Sequence, residues 1–364
     1  MTRPADRGRP FKQPNPASNP TVSPTPQGNV RDRRSTKRFG FVPAYVFVIL
    51  SLLAIYYMRI ASNAAGVGEK MAYINNVKHF LEYGIPLRTT YTGLGPLDGF
   101  LQFLVTAFAP GAAGWDPAFY VLQSYFLMSF FPLLTIFAIE SESRKVPLAY
   151  AKSLLPALVI GYLIPTILMF LPYSEEDYWT TQFMIALWQP SPWFINAILW
   201  ILPMFYASAK PEDVEGEEDG QDSEDYHADL EYLGNIYSVA FVMSAVAHVA
   251  TMSICVFSKR SEHSFSQIFI PGEITPDTSL SEALRMIFQV DYWIIFSAAL
   301  VWAYFAVWDL KRIGMTDVRI LNMAVTIVIR SILLGPAATT VGIWYWREYT
   351  MINKPTTTTK DKHR

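Results

Sequence analysis

The sequence predicts an all-α fold: a polytopic bundle of about eight transmembrane helices. Three observations carry this. Of 364 residues, 51% are hydrophobic and only 16% are charged, whereas soluble domains carry about 25% charge. The charges are also segregated. Nine basic residues lie between Arg3 and Arg38, and eleven acids crowd into Glu212 to Glu231. The rest of the chain is a succession of apolar runs, many of them near the roughly 17–25 residues that a membrane span needs. This pattern excludes a nucleic-acid binder and an extracellular disulfide scaffold. Cys255 is alone inside an apolar run, which leaves no disulfide framework and no thiolate metal site.

Residues 1–40 form a basic arm with seven prolines before Gln27, too poor in apolar residues to fold alone. Its Arg31-Asp32-Arg33-Arg34 run abuts the first apolar segment, which puts this end on the cytoplasmic side. The apolar stretch begins only after forty polar residues, so no cleavable signal peptide is expected. The transmembrane domain covers 41–346, with candidate spans at 41–60, 118–139, 153–172, 192–208, 232–257, 289–309 and 320–345. Two shorter runs, 97–110 and 178–189, are ambiguous; the first makes about 21 Å of helix against a hydrocarbon core of about 30 Å. If 178–189 crosses and 97–110 is re-entrant, Arg144, Lys145 and Lys152 face the cytoplasm, as the positive-inside rule prefers. The swapped assignment sends them to the lumen. Lys311, Arg312 and Arg319 violate the rule either way.

Between spans, 210–231 reads as a solvated acidic loop whose spacing does not fit a calcium loop. Ser279-Leu280-Ser281-Glu282 is a capping box expected to open a short helix toward the 289–309 span. In the basic tail, 347–364, the ending Lys360-Asp361-Lys362-His363-Arg364 matches the Lys-x-Lys-x-x pattern of endoplasmic-reticulum retrieval. Read that way, both termini are cytoplasmic and the span number is even. Eight then follows.

Ionisable groups inside a bilayer are expensive, so each is a functional candidate. Asp98 lies in Gly93-Leu94-Gly95-Pro96-Leu97-Asp98-Gly99, an irregular stretch where it either caps a helix or serves as a buried acid with raised pKa. Asp116 precedes Pro117 at the head of an apolar run, the arrangement of an N-cap with proline at N1. Glu140 ends the 118–139 run, with Arg144 as an i+4 partner. Asp291 and Asp309 share a helical face with Ile295, Ala298, Trp302 and Phe305. Eighteen residues is about 27 Å of helix, so at most one of the two serves a catalytic mouth. His248 is mid-span, either an interhelical hydrogen-bonding residue or a ligand or acid. Arg330 lies inside the last run and needs a partner, for which Asp291, Asp309 or a substrate oxygen would serve.

Aromatic residues are the other resource. The 118–139 run alone holds Tyr125, Phe126 and Phe130 among seven aromatics, and Trp302 and Phe305 follow later. Singly these read as interfacial belts or packing. Together, an aromatic pocket with a carboxylic acid suits carbocation chemistry on an isoprenoid. The acid protonates an alkene or epoxide, and aromatic faces stabilise the cation by about 2 kcal/mol each when desolvated. No Asp-rich diphosphate motif, Gly-rich phosphate loop or His/Cys metal spacing occurs, so neither metal nor cofactor is expected.

Gly95-Pro96-Leu97-Asp98-Gly99-Phe100-Leu101, then Trp115-Asp116-Pro117, then Pro132-Leu133-Leu134 through Glu140-Ser141, resembles fungal integral-membrane terpene cyclases of meroterpenoid biosynthesis. The likeness is to the longer type, similar to those of macrophorin and ascochlorin-like pathways. It is clearest over 93–142 and looser through 340. The resemblance implies metal-free cyclisation of a prenyl chain, often farnesyl, on an aromatic or cyclohexenone core, begun by protonation. Within the matching stretch Asp98 and Glu140 are the acid candidates, Asp116 there reading as an N-cap. The implied partners are a lipophilic prenylated substrate and the bilayer, with no obligate protein partner. A transporter or receptor for a small lipophilic molecule is the alternative, and it should show inverted repeats or paired broken helices.

Overall fold

The computed structural model describes residues 42–141, 148–174, 176, 178–207, 221–273 and 275–353. The basic arm, Arg144 and Lys145, residues 210–220 of the acidic loop, and the Lys360–Arg364 ending lie outside the described residues, whereas 221–231, read as loop, is the start of a helix.

Helix α1 runs Val42–Ile55 and continues through a π-helical stretch, Tyr56–Ala61, into Ser62–Ala64. Its Leu52, Ile55 and Ile60 are exposed, the condition of side chains that meet lipid rather than protein. α2 (Val67–Val77) leads into a two-stranded antiparallel hairpin, β1 (His79–Phe80) and β2 (Ile85–Pro86). α3 (Gly95–Ala112) starts with Pro96 in its first turn, where the missing N–H is harmless. α4 (Pro117–Ser141) is apolar on every side and is the central post of the bundle. Phe119, Leu122, Phe131 and Ile136 are fully buried on it.

α5 combines Leu148–Leu158, a π turn Val159–Leu163, and Ile164–Met169. α6 (Trp179–Trp188) and α7 (Ser191–Ala207) follow. α5 packs on α7 at Gly161, where a Cβ would stand 2.7 Å from the Ile195 backbone nitrogen, so only glycine permits that approach. α8 (Gln221–Phe257), the short α9 (Phe265–Phe269) and α10 (Leu280–Arg312) come next, then α11 (Ile320–Leu334) and α12 (Pro336–Asn353). α4 is surrounded by α3, α8, α10 and α12.

Among the described residues, five helices are long and apolar enough to cross a membrane: those containing 44–64, 117–141, 149–169, 232–257 and 280–312. The chain is thus a helical membrane protein, but the expected number of eight is not reached by length and composition. Two local events explain the difference. The runs 178–189 and 192–208, read as separate segments, are α6 and α7, bent by 56° and passing as a span only together. The run 320–345, read as one span, is broken between α11 and α12. Gly335 sits at φ 91° and Pro336 has no N–H and cannot continue a helix. The Ser279–Glu282 capping box is present with both reciprocal bonds, and it opens the whole 33-residue α10 rather than a separate short helix.

Candidate functional site

The bundle's interior is an aromatic seam between α4 and α10. Phe288, Tyr292 and Phe296 recur at i, i+4 and i+8, which stacks them on one face of α10. Phe126 of α4 meets all three, with ring centroids at 6.1, 6.2 and 6.1 Å. Phe119 closes on Phe288 at 5.0 Å, and Phe130 flanks Phe126 at 6.3 Å. Tyr125 stands 5.6 Å from Tyr292 and 5.8 Å from Phe269 of α9. Phe269 and Phe119 are almost completely buried. Aromatic pairs in such edge-on arrangements contribute about 0.5–1.5 kcal/mol each beyond area burial.

His248 is wired into this seam from α8. Its Nε2 lies 3.0 Å from the Ile332 carbonyl, which Pro336 leaves without its helical N–H donor. A carbonyl only accepts, so Nε2 carries the proton and Nδ1 is the acceptor. The Tyr125 hydroxyl donates to that Nδ1 at 2.8 Å, and the Tyr292 hydroxyl donates to Tyr125 at 3.4 Å. The helix break at Gly335 also makes room for the imidazole: a Cβ there would come within 2.8 Å of the ring. The sequence places His248 as a lone candidate. The fold turns it into the end of a Tyr292–Tyr125–His248 hydrogen-bond chain.

The carboxylates separate by their partners. Asp98 is buried at the start of α3, and its oxygens accept from the Thr92 amide at 2.7 Å and its hydroxyl at 2.9 Å, and from the Tyr91 and Gly93 amides at 3.1 Å each. These bonds, the Thr92 amide foremost, hold the Asp98 carboxyl below the usual carboxylate range, opposite to the raised value expected of a buried acid. Asp116 is the N-cap of α4, accepting from the Phe119 amide at 3.0 Å, as the Asp-Pro sequence predicts. It also forms a buried ion pair with Arg285, at 2.9 and 2.7 Å from Nη1 to its two oxygens.

Glu140 accepts from Trp344 Nε1 at 2.8 Å and Arg347 at 2.6 Å; Arg144, its expected partner, lies outside the described residues. Asp309 is exposed and pairs with Arg312 at 3.2 Å. Arg330 is a correction. It is exposed on α11 and makes no ion pair among the described residues, because the break at Gly335 leaves α11 peripheral, with Ile327 its one buried residue.

Asp291 remains. It is half-buried within α10, immediately before Tyr292 and one turn beyond Phe288, and makes no hydrogen bond or ion pair among the described residues. Of the sequence-selected residues, the fold therefore brings together Tyr125, Phe126, Phe130 and His248, and Asp291 adjoins them only as the chain neighbour of Tyr292. Trp302 lies elsewhere, tilted against Trp344 with ring centroids 4.0 Å apart near Glu140, and Phe305 packs on Tyr304 and Trp308. Sequence reading missed Phe288, Tyr292 and Phe296, although their i, i+4, i+8 spacing was a legible signal. It also missed Arg285, for which nothing local pointed to Asp116. Among the described residues, no group of three or more His, Cys, Asp or Glu side chains could hold a metal ion.

The CtvD domain matches residues 43–145 and 134–352 of this chain. The terpene cyclase penA of Penicillium crustosum is 21% identical over 364 residues, covering 83% of this chain and 94% of that protein. The terpene cyclase verU1 of Penicillium polonicum is 28% identical over 170 residues, 45% of this chain and 42% of verU1. The FAD-dependent monooxygenase verC1 of the same organism is 24% identical over 223 residues. That match takes in 59% of this chain but spans only about a quarter of verC1's length. No solved structure matches the chain.

Proposed function

We propose a function for this chain, which belongs to the CtvD domain family: it is a membrane terpene cyclase that works by protonation and acts on a prenylated, farnesyl-type meroterpenoid. The relatives named terpene cyclase support the reaction class. The observation that carries the mechanism is the α4–α10 aromatic seam, with Asp291, a carboxyl that has no partner among the described residues, next in the chain to its Tyr292.

In this reading Asp291 gives its proton to the terminal alkene carbon or the epoxide oxygen of the prenyl chain. Successive π-electron pairs then attack the cationic carbon, each closing a ring bond and moving the charge inward. The faces of Phe126, Phe288, Tyr292 and Phe296 stabilise that charge, at about 2 kcal/mol or more per face in a dry site. The final cation loses a proton to the Tyr125 oxygen while the Tyr125 hydroxyl proton passes to His248 Nδ1, the direction set by the hydrogen bond already present, and exchange with water then deprotonates His248 and reprotonates Asp291 before the next turnover. Nothing is oxidised or reduced, and product and substrate have equal mass.

Membranes containing the protein, incubated with a farnesylated phenol and with its terminal epoxide, test this directly. The expected result is a cyclised product of unchanged mass from at least one of them, formed equally well in EDTA. Recovery of both substrates unchanged rejects the reading for that class, and loss of product on chelation rejects the metal-free mechanism.

Asp98, on this reading, is an anchor for the 91–93 backbone and not the acid. Asp98→Asn keeps the three bonds to Oδ1 and loses only the one from Gly93. Turnover per folded protein should therefore stay well short of the ~10²-fold loss of a missing general acid. A larger deficit in folded Asp98→Asn protein would return this residue to the reaction.

A further inference from the structure

We propose that the cavity beside α9 is the subsite for the polar ring of the substrate, and that it takes a neutral hydroxyl on an aromatic or enol ring; this rests on the cyclase reading above. The cavity, about 250 Å³, lies between α9, the loop that follows it and the first turns of α10. Gln289, 1% exposed, lines it. Its Nε2 donates to the carbonyls of Gln267 at 2.8 Å and Ile268 at 3.1 Å, which fixes the orientation of the amide. Its Oε1 is buried with no hydrogen-bond partner among the described residues. A buried acceptor in native protein is normally satisfied, and the missing partner here is a donor: an O–H group brought by the ligand.

The charges around the cavity say which ligand. Arg285 also lines it, but its charge is met by Asp116 at 2.7 Å. Glu273 and Glu282 share the lining, so an anion such as a diphosphate is disfavoured and a neutral hydroxyl is not. The far side of α9 presents Phe269 to Tyr292 at 5.4 Å and to Tyr125 at 5.8 Å. Trp293 Nε1 pins the Phe269 carbonyl to α10 at 2.7 Å. A ring held by Gln289 is thus one short helix away from the seam in which the prenyl chain would fold.

Binding tests this without any turnover. The full-length protein in lipid nanodiscs is titrated by calorimetry with hexahydrofarnesylphenol, whose saturated chain offers no alkene to protonate, and with its methyl ether. The phenol should bind about tenfold more tightly, the ratio expected for one buried hydrogen bond. Gln289→Leu should bring that ratio to about one. Because this change also releases two α9 carbonyls, Gly272→Leu is the second variant. Gly272 lines the cavity, and a Cβ there meets only Met286 Sδ at 3.7 Å, so added bulk fills the space without removing a polar group. It should abolish the preference as well.

Equal affinity of phenol and ether in the unaltered protein overturns the proposal, as does a preference that survives both variants, or displacement of the phenol by pyrophosphate. Phenol preference without any cyclised product would reject the cyclase reading alone. Cyclisation without the preference would reject this subsite alone.

Discussion

Asp291→Asn should fold as the parent does and lose about 10²–10⁴-fold of its turnover, the usual effect of a missing general acid. Asn preserves the volume and polarity of the side chain and removes only the transferable proton. The prediction singles out Asp291 because every other carboxyl considered for the site is committed. Asp98 accepts four hydrogen bonds, Asp116 and Glu140 are bound to Arg285 and Arg347, and Asp309 is bound to Arg312. The measurement is product formed per folded protein, with folding read from a monodisperse peak in detergent. Glu140→Gln is the matched control, expected to disturb the Trp344–Arg347 contacts without the same fall in rate. Parental turnover in Asp291→Asn would remove this residue from the mechanism.

Arg285→Met should cost about 3–5 kcal/mol of stability, because it leaves the Asp116 carboxylate buried without its cation. The remaining bonds to Asp116, from the Phe119 amide at 3.0 Å and the Ser281 hydroxyl at 3.3 Å, do not neutralise it. The double variant Asp116→Asn/Arg285→Met should recover most of the loss, since Asn ranks with Asp as an N-cap and leaves no buried charge. Thermal unfolding of the solubilised protein compares the three. If the double variant is no more stable than Arg285→Met alone, the pair is not what holds the α4 and α10 ends together.

Much of the architecture is local in origin, and to that extent it is legible in the chain. Apolar run length identifies the spans 41–60, 118–139, 153–172, 232–257 and 289–309, because burying or lipid-solvating an entire helix demands an unbroken apolar stretch. The Asp116-Pro117 N-cap and the Ser279–Glu282 box also follow from residues three apart, whose bonds form within one turn. The Gly335-Pro336 break is of the same kind. It lies within an otherwise apolar run, and proline's missing N–H ends a helix wherever it stands.

Partnership is not legible, because it depends on which helices become neighbours. Asp116 and Arg285 are 169 residues apart, and Glu140 and Arg347 are 207 apart. Tyr125 and His248 are 123 apart and meet only because α4 and α8 pack together. Burial alone made Asp98 look like an acid; the three backbone amides and one hydroxyl that surround it make it an anchored carboxylate. The sequence by itself therefore determined a helical membrane bundle, its caps and most of its spans, since these are set by composition and by bonds within a turn. Tertiary structure alone decided which of the candidate acids lacks a partner among the described residues, which histidine is tied to a tyrosine and which glutamine lines a cavity, because hydrogen bonds and ion pairs act over a few ångströms and only packing brings distant residues that close.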